Sequence, residues 1–292
     1  MSAYREDMRR AWERIDSCPT QRLETRFGTI EYVDQGEGVP LLVVHGVLGC
    51  HVDTVDGWWA SLPGAGFRVI GPSRFGYFGS TLRAGASPAD QAEAYAALLD
   101  HLGIARAVVI GYSAGSGSVL EFARRRRERA MGLILASCRL GGGVTIPAAL
   151  KPLLRLAYSA DPLFWAFKKL MPTAFSRMMG IPKGYRASPL EAEAIAASRE
   201  LLFPFKPRRD GAVFDGYGSN PVADRFPFEQ LAVPTLVIHA RDDPLAPYRF
   251  AAEAAPRIPG ARLVTIEAGG HFFMGHDAEV REAIGGFVQE VT

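Results

Sequence analysis

Apolar positions along the chain follow two alternating rhythms. Short unbroken runs end in small or polar residues: 40–46 (PLLVVHG), 67–76 (FRVIGPSRFG), 106–113 (RAVVIGYS), 130–137 (AMGLILAS), 233–240 (VPTLVIHA) and 261–268 (ARLVTIEA). Runs of this kind predict strands buried on both faces. Between them lie stretches with helical spacing: 86–104, 113–130, 247–258 and 276–291. Ser87, or the residues just before Asp90, can cap the first of these, and Gly103 stops it. Residues 22–30 and 31–36 read as two strands meeting near Gly28, a hairpin. Strand alternating with helix predicts right-handed crossovers and a mostly parallel central β-sheet flanked by helices, the α/β class.

The rhythm breaks between residues 139 and 227. That stretch is rich in aromatic residues, Met and Pro, and contains no run of the buried-strand type. It predicts a mostly helical insertion, so the expected division is a core of 1–138 and 228–292 with a helical cap or lid at 139–227. Within it, Leu153, Leu156, Phe164, Trp165, Phe167, Met171, Met178 and Met179 are expected to pack the cap's own core and its seam, with a few lining an apolar pocket. Gly, Pro, Arg and Lys concentrate at 180–190 and 205–222, which predicts loose, mobile segments there.

Composition narrows the function classes. Thirty-three Lys and Arg against thirty-one Asp and Glu leave +2, so the whole chain has no net pull toward nucleic acid or an anionic surface. Cys18, Cys50 and Cys138 are scattered, without a C-x-x-C, so neither a disulfide framework nor a zinc knuckle is expected. The charged start lacks the apolar core of a signal peptide, and no apolar run reaches the roughly 18–20 residues that cross a bilayer. The expected location is the cytoplasm. The basic run from Arg124 to Arg127, with Arg129, is expected to be a solvated helix end.

The candidate chemistry sits at strand ends. Gly111-Tyr112-Ser113-Ala114-Gly115 fits G-x-S-x-G, with a buried strand before it and a helix after it. Gly111 and Gly115 would let strand and helix pass closely while Ser113 is held on a strained turn. Such a turn without chemistry, or a phosphate cradle at a helix N-terminus, is the plainer alternative. A serine hydroxyl needs a base. His271, on the loop after the last strand, is the candidate. His276 resembles a capping residue, His239 lies inside a strand, and His101 lies on an amphipathic helix. An orienting carboxylate is available from Asp242 or Asp243, after the penultimate strand.

Serine, acid and histidine in that order, each after a separate strand, make the chain resemble the α/β-hydrolase superfamily over roughly 22–138 and 228–292. His45-Gly46-Val47-Leu48-Gly49 is similar to that family's H-G-x-x-G loop. Residues 72–80 resemble its P-x-R-x-G-x-G-x-S segment, with Phe78 in place of the second Gly. Asp243, four before Pro247, fits its D-x-x-x-P spacing where Asp242 does not, and Gly270-His271 matches its terminal G-H. The resemblance implies a capped serine esterase with Ser113, Asp243 and His271 as catalytic residues. The backbone N–H groups of Val47, or alternatively Leu48, and of Ala114 would form the oxyanion hole, with His45, Gly46, Gly111 and Gly115 in structural roles. It implies no metal or organic cofactor and a small ester-like substrate. Rivals with the same residues are carbon–carbon bond hydrolases, lactonases, thioesterases and cofactor-free perhydrolases. A non-catalytic binder of an apolar ligand or a protein is the alternative of a different class. Cys50 and His51 follow the oxyanion loop, close enough to touch the pocket, and have no assigned role.

Overall fold

The structure is a computed structural model that describes residues 2–56, 59–60, 62–142 and 146–292. Among them eight strands form one sheet: β1 (Gln21–Thr25), β2 (Gly28–Gln35), β3 (Val39–Val44), β4 (Phe67–Pro72), β5 (Ala107–Tyr112), β6 (Ala130–Ala136), β7 (Thr235–Ala240) and β8 (Arg262–Ile266). Their spatial order is β1-β2-β4-β3-β5-β6-β7-β8. The pairs β1–β2 and β2–β4 are antiparallel and all others are parallel. The parallel strands are the ones without polar alternation: Val108, Val109 and Ile110 are all sealed from solvent, because both faces of the sheet are covered. Each such side chain contributes about 1.5–3 kcal/mol through burial.

Among the described residues, the α-helices outside the insertion are α1 (Ser2–Asp16), α2 (Pro88–His101), α3 (Ser116–Arg125), α10 (Tyr248–Ala254) and α11 (Asp277–Val291). Leu42, Val44 and Val109 face the layer that contains α2, α3 and α10, whereas Leu41, Val43 and Ile110 face α11. Ser87 caps α2 as a capping box, accepting the Asp90 N–H while the Asp90 carboxylate accepts the Ser87 N–H. Gly103, at φ +66°, follows the helix end. The first hairpin turns earlier than the apolar pattern indicates, over Arg26 and Phe27, because Thr25 pairs with Gly28 and its hydroxyl accepts the Phe27 N–H. The basic run after α3 is tied down rather than merely solvated: Arg124 and Arg125 pair with Glu121, Arg126 with Glu93 and Arg129 with Asp100.

Between β6 and β7 the chain is helical: α4 (Lys151–Ala157), α5 (Asp161–Leu170), α6 (Pro172–Met179), α7 (Pro189–Leu201), α8 (Arg209–Phe214) and α9 (Asn220–Asp224). Phe164 stacks on Phe205 with ring centres 4.1 Å apart, and Phe175 and Phe203 extend the stack. The N-terminal α1 lies against this aromatic cluster through Met8 and Ala11. Asp7 accepts the Trp165 indole N–H at 2.8 Å, and Arg14 donates to the Leu201 carbonyl at 3.0 Å.

Two expectations fail here. Leu153, Leu156 and Met171 do not pack a cap core; they are solvent-exposed, because the inner faces of their helices are supplied by other residues. The segment 205–222 is not a loose surface stretch either. Arg208 and Asp215 are buried and hold it against the core loops, Arg208 by pairing with Asp53 and Asp215 by pairing with Arg74. No helix among the described residues is long and apolar enough to cross a membrane.

Candidate active site

Ser113 is placed by a turn that the surrounding backbone makes obligatory. It has φ +52°, a left-handed conformation that costs a non-glycine residue strain. A Cβ on Gly111 would lie 2.4 Å from Val119 Cγ2, and one on Gly115 would lie 2.8 Å from the Val44 carbonyl oxygen. The two glycines therefore let α3 leave β5 at close range, and the turn throws Ser113 over the carboxyl end of the sheet.

His271 reaches the same edge from the loop after β8. Its Nε2 is 2.8 Å from Ser113 Oγ and its Nδ1 is 2.7 Å from Asp243 Oδ2. The loop is anchored on every side. The His271 N–H donates to the Gly180 carbonyl at 3.1 Å, and its own carbonyl accepts the Tyr112 and Ser137 hydroxyls, each at 2.8 Å. Asp243 Oδ1 accepts the N–H groups of Leu245 and Ala246. Burial by itself would push the Asp243 carboxyl up. The attraction of His271 and hydrogen bonds from His239, His271 and Ala246 outweigh it and hold the group well below the usual carboxylate range. Asp242 shapes the loop that carries His271, since its carboxylate accepts the N–H groups of Gly269 and Gly270.

The loop after β3 abuts Ser113, since a Cβ on Gly46 would lie 2.9 Å from Ser113 Cβ. The Leu48 N–H is taken by the Tyr77 hydroxyl at 3.3 Å. Among the described residues, the N–H groups of Val47 and Ala114 have no such acceptor. His45 is structural: Nδ1 donates to the Gly46 carbonyl at 2.8 Å and Nε2 accepts the Arg74 N–H at 2.9 Å. Burial and the nearby Arg74 push its basicity well below that of an ordinary imidazole.

Sequence reasoning missed the most buried polar cluster. Arg74 pairs through both terminal nitrogens with Asp215, which lies between α8 and α9. Asp215 also accepts the Tyr77 hydroxyl at 2.5 Å. Arg74 donates in addition to the carbonyls of Gly46, at 2.9 Å, and Ala114, at 3.3 Å. Arg208 donates to the Leu48 carbonyl, so the insertion holds the loop at two points. Arg74 falls within the motif at 72–80, but nothing local marks Asp215, 141 residues away. Phe78, where the resembled pattern has Gly, adopts φ +48° and packs its ring near Trp12, His51 and Arg208.

Cys50 and His51 do not line the cavity. Both side chains are sealed in the layer beneath the loop. His51 hydrogen-bonds with Ser73 at 2.8 Å and Thr20 at 2.8 Å, and burial lowers its pKa to about 4. The folded state thus refuses a proton that the unfolded chain accepts below about pH 6.5. Stability is expected to fall as pH drops from about 6.5 toward 4, by on the order of 3 kcal/mol for this group, and to level off below. Urea unfolding measured across that range should show a shallower pH slope for His51→Asn; an identical slope would remove His51 from the acid response.

The cavity over Ser113 has a volume of about 570 Å³. Trp59, Tyr112 and Phe272 line it from the core, and Leu154, Phe164 and Met179 from the insertion. Arg139 is the one Lys or Arg among its described lining residues, and its guanidinium is paired with Asp224 at 3.0 Å.

Residues 39–277 match the family described as alpha/beta hydrolase fold. The chain is 31% identical over 256 residues to a 2-hydroxymuconate semialdehyde hydrolase of Pseudomonas putida, covering 84% of this chain and 85% of that protein. Among solved structures, an alpha/beta hydrolase fold protein from Nakamurella multipartita aligns with TM-score 0.71 and 25% identity, covering 92% of this chain and 98% of the other. A thermophilic esterase from Thermogutta terrifontis aligns with TM-score 0.67 and 24% identity over 94% of this chain and 99% of its own, a likeness of fold.

Proposed function

The chain belongs to the alpha/beta hydrolase family, and from that membership we propose a serine hydrolase that cleaves carboxylic esters of small to medium, apolar substrates. One observation carries the proposal: hydroxyl, imidazole and carboxylate stand in a hydrogen-bonded line, 2.8 and 2.7 Å, on the floor of an apolar cavity. In the proposed reaction, Ser113 Oγ attacks the ester carbonyl carbon and its proton passes to His271 Nε2. Asp243 holds the Nδ1–H and stabilises the imidazolium. The N–H groups of Val47 and Ala114 receive the developing oxyanion. His271 then protonates the departing alcohol. Water, giving its proton to the same imidazole, attacks the acyl-enzyme and releases the acid.

Carbon–carbon bond hydrolysis is the second reading, supported by the 31% identity to the semialdehyde hydrolase. The cavity chemistry favours the ester. A dianionic or carboxylate-bearing substrate would find no uncommitted Lys or Arg among the described lining residues, since Arg139 is already paired with Asp224. Cys18, Cys50 and Cys138 are free thiols, which suits a reducing, cytoplasmic setting. A fluorophosphonate probe tests the activated serine directly. Stoichiometric labelling at Ser113 is expected, slowed while excess short-chain p-nitrophenyl ester competes for the site. Folded protein that stays unlabelled would favour a binding protein on the same fold.

A further inference from the structure

Although the chain as a whole is nearly neutral, its charge is unevenly placed. Between residues 146 and 187 stand seven Lys or Arg and a single acid, Asp161. Asp161 is buried and accepts the Phe205 N–H, and Lys168 is buried against Glu200, so the solvent meets six cations there and no anion. Arg155 pairs with Asp210 and Lys169 with Asp7; Lys151, Arg177, Lys183 and Arg186 have no carboxylate partner among the described residues.

The same stretch holds most of the protein's exposed large apolar side chains. On α4, Leu150, Leu153 and Leu156 recur every three residues and point outward, with Leu156 68% exposed. On α5, Leu163 and Leu170 are seven residues, about two helical turns, apart, and Leu170 is 81% exposed, with Met171 beside it. The opposite sides of these helices are occupied: Leu154 and Ala157 of α4 and Phe164 of α5 line the cavity over Ser113. The two helices therefore form a roof that is apolar on both sides. An inward apolar face is explained by the cavity. An outward one, at this exposure, is the kind of patch that marks an interaction surface.

We propose that the outer face of α4 and α5 adsorbs to an anionic lipid surface, with the leucines entering the acyl boundary and the surrounding cations meeting the headgroups. Apolar residues on one face, in a stretch where Lys151, Arg177, Lys183 and Arg186 have no carboxylate partner among the described residues, match the two attractions that hold an amphipathic helix in a bilayer interface. A second copy of this chain fits less well, because closing two such faces on each other would bring like charge against like charge. Adsorption stands apart from the proposed hydrolysis, and its test reads binding rather than turnover.

Cosedimentation with extruded vesicles tests it. Equimolar phosphatidylglycerol and phosphatidylcholine vesicles are expected to bind the protein at least about tenfold more tightly than phosphatidylcholine alone, with binding weakened by added salt. Leu153→Glu/Leu163→Glu should abolish binding, and Lys151→Glu/Arg177→Glu should reduce it, both with unchanged circular dichroism and unchanged hydrolysis of a soluble p-nitrophenyl ester. No adsorption, or adsorption equal on both vesicle types and indifferent to these variants, overturns the proposal. A dimer seen by light scattering that Leu153→Glu/Leu163→Glu dissociates, without vesicle binding, assigns the face to a second copy and also overturns it.

Discussion

Replacing Ser113 by Ala is expected to lower turnover of a short-chain p-nitrophenyl ester by on the order of 10⁴–10⁶, with circular dichroism and the unfolding midpoint nearly unchanged. The size of the effect follows from what is lost. With no nucleophile, the imidazole of His271 has no proton to take, and Asp243 has no imidazolium to stabilise; the three act as a unit. Removal of His271 should therefore cost a comparable factor, and the double variant little more. The fold is insensitive because Ser113 contributes one hydroxyl to the interior and occupies a strained φ of +52°. Loss of a single hydrogen bond to His271 leaves stability within about 1 kcal/mol. An alanine variant that hydrolyses the ester as fast as the wild type would end the proposed mechanism. A variant that loses activity because it unfolds would be recognised by its shifted midpoint.

The placement of the candidate residues was legible where it depends on local geometry. A serine between two glycines, after a buried strand, is a backbone requirement that can be read from five residues. The contacts a Cβ would make at Gly111 and Gly115 are its physical cause. Strand ends were legible for the same reason, so His271 and the pair Asp242–Asp243 could be placed on the rim that also carries Ser113, while the choice of Asp243 came from the resembled D-x-x-x-P spacing. Four things were not legible. Which loop N–H faces the cavity is decided by the Tyr77 hydroxyl, which engages Leu48, 29 residues away. His51 is turned inward by bonds to Ser73 and Thr20, and Cys50 packs in a buried cluster with Ile15 and Val52, neither of which the loop's own residues announce. The outward leucines of α4 and α5 share their spacing with core positions, since periodicity reports a face and not what covers it. Asp215 is the sharpest case, a lone acid in a glycine-rich stretch whose partner lies on the far side of the chain.

Asp215→Ala is expected to destabilise the protein by about 3–5 kcal/mol, the cost of leaving a buried cation without its partner. Arg74 and Asp215 are each 1% exposed. Arg74 Nε has no partner even in the intact structure, so the guanidinium depends on Asp215, two carbonyls and the Tyr77 hydroxyl. Once the carboxylate is gone, the charge has no path to solvent. Replacing both ends with apolar residues, as in Arg74→Met/Asp215→Leu, removes the charge together with its partner and should recover most of the stability. Activity is expected to behave differently. The Gly46 carbonyl that Arg74 holds belongs to the same trans peptide as the Val47 N–H, so anchoring one fixes the direction of the other. The double variant should thus be stable in urea yet turn over a p-nitrophenyl ester more slowly, by up to the factor on the order of 10²–10³ that the loss of one oxyanion donor costs, mainly in kcat. A double variant with both stability and kcat restored would make the pair a packing element alone. A single variant within about 1 kcal/mol of wild type would mean that water reaches Arg74.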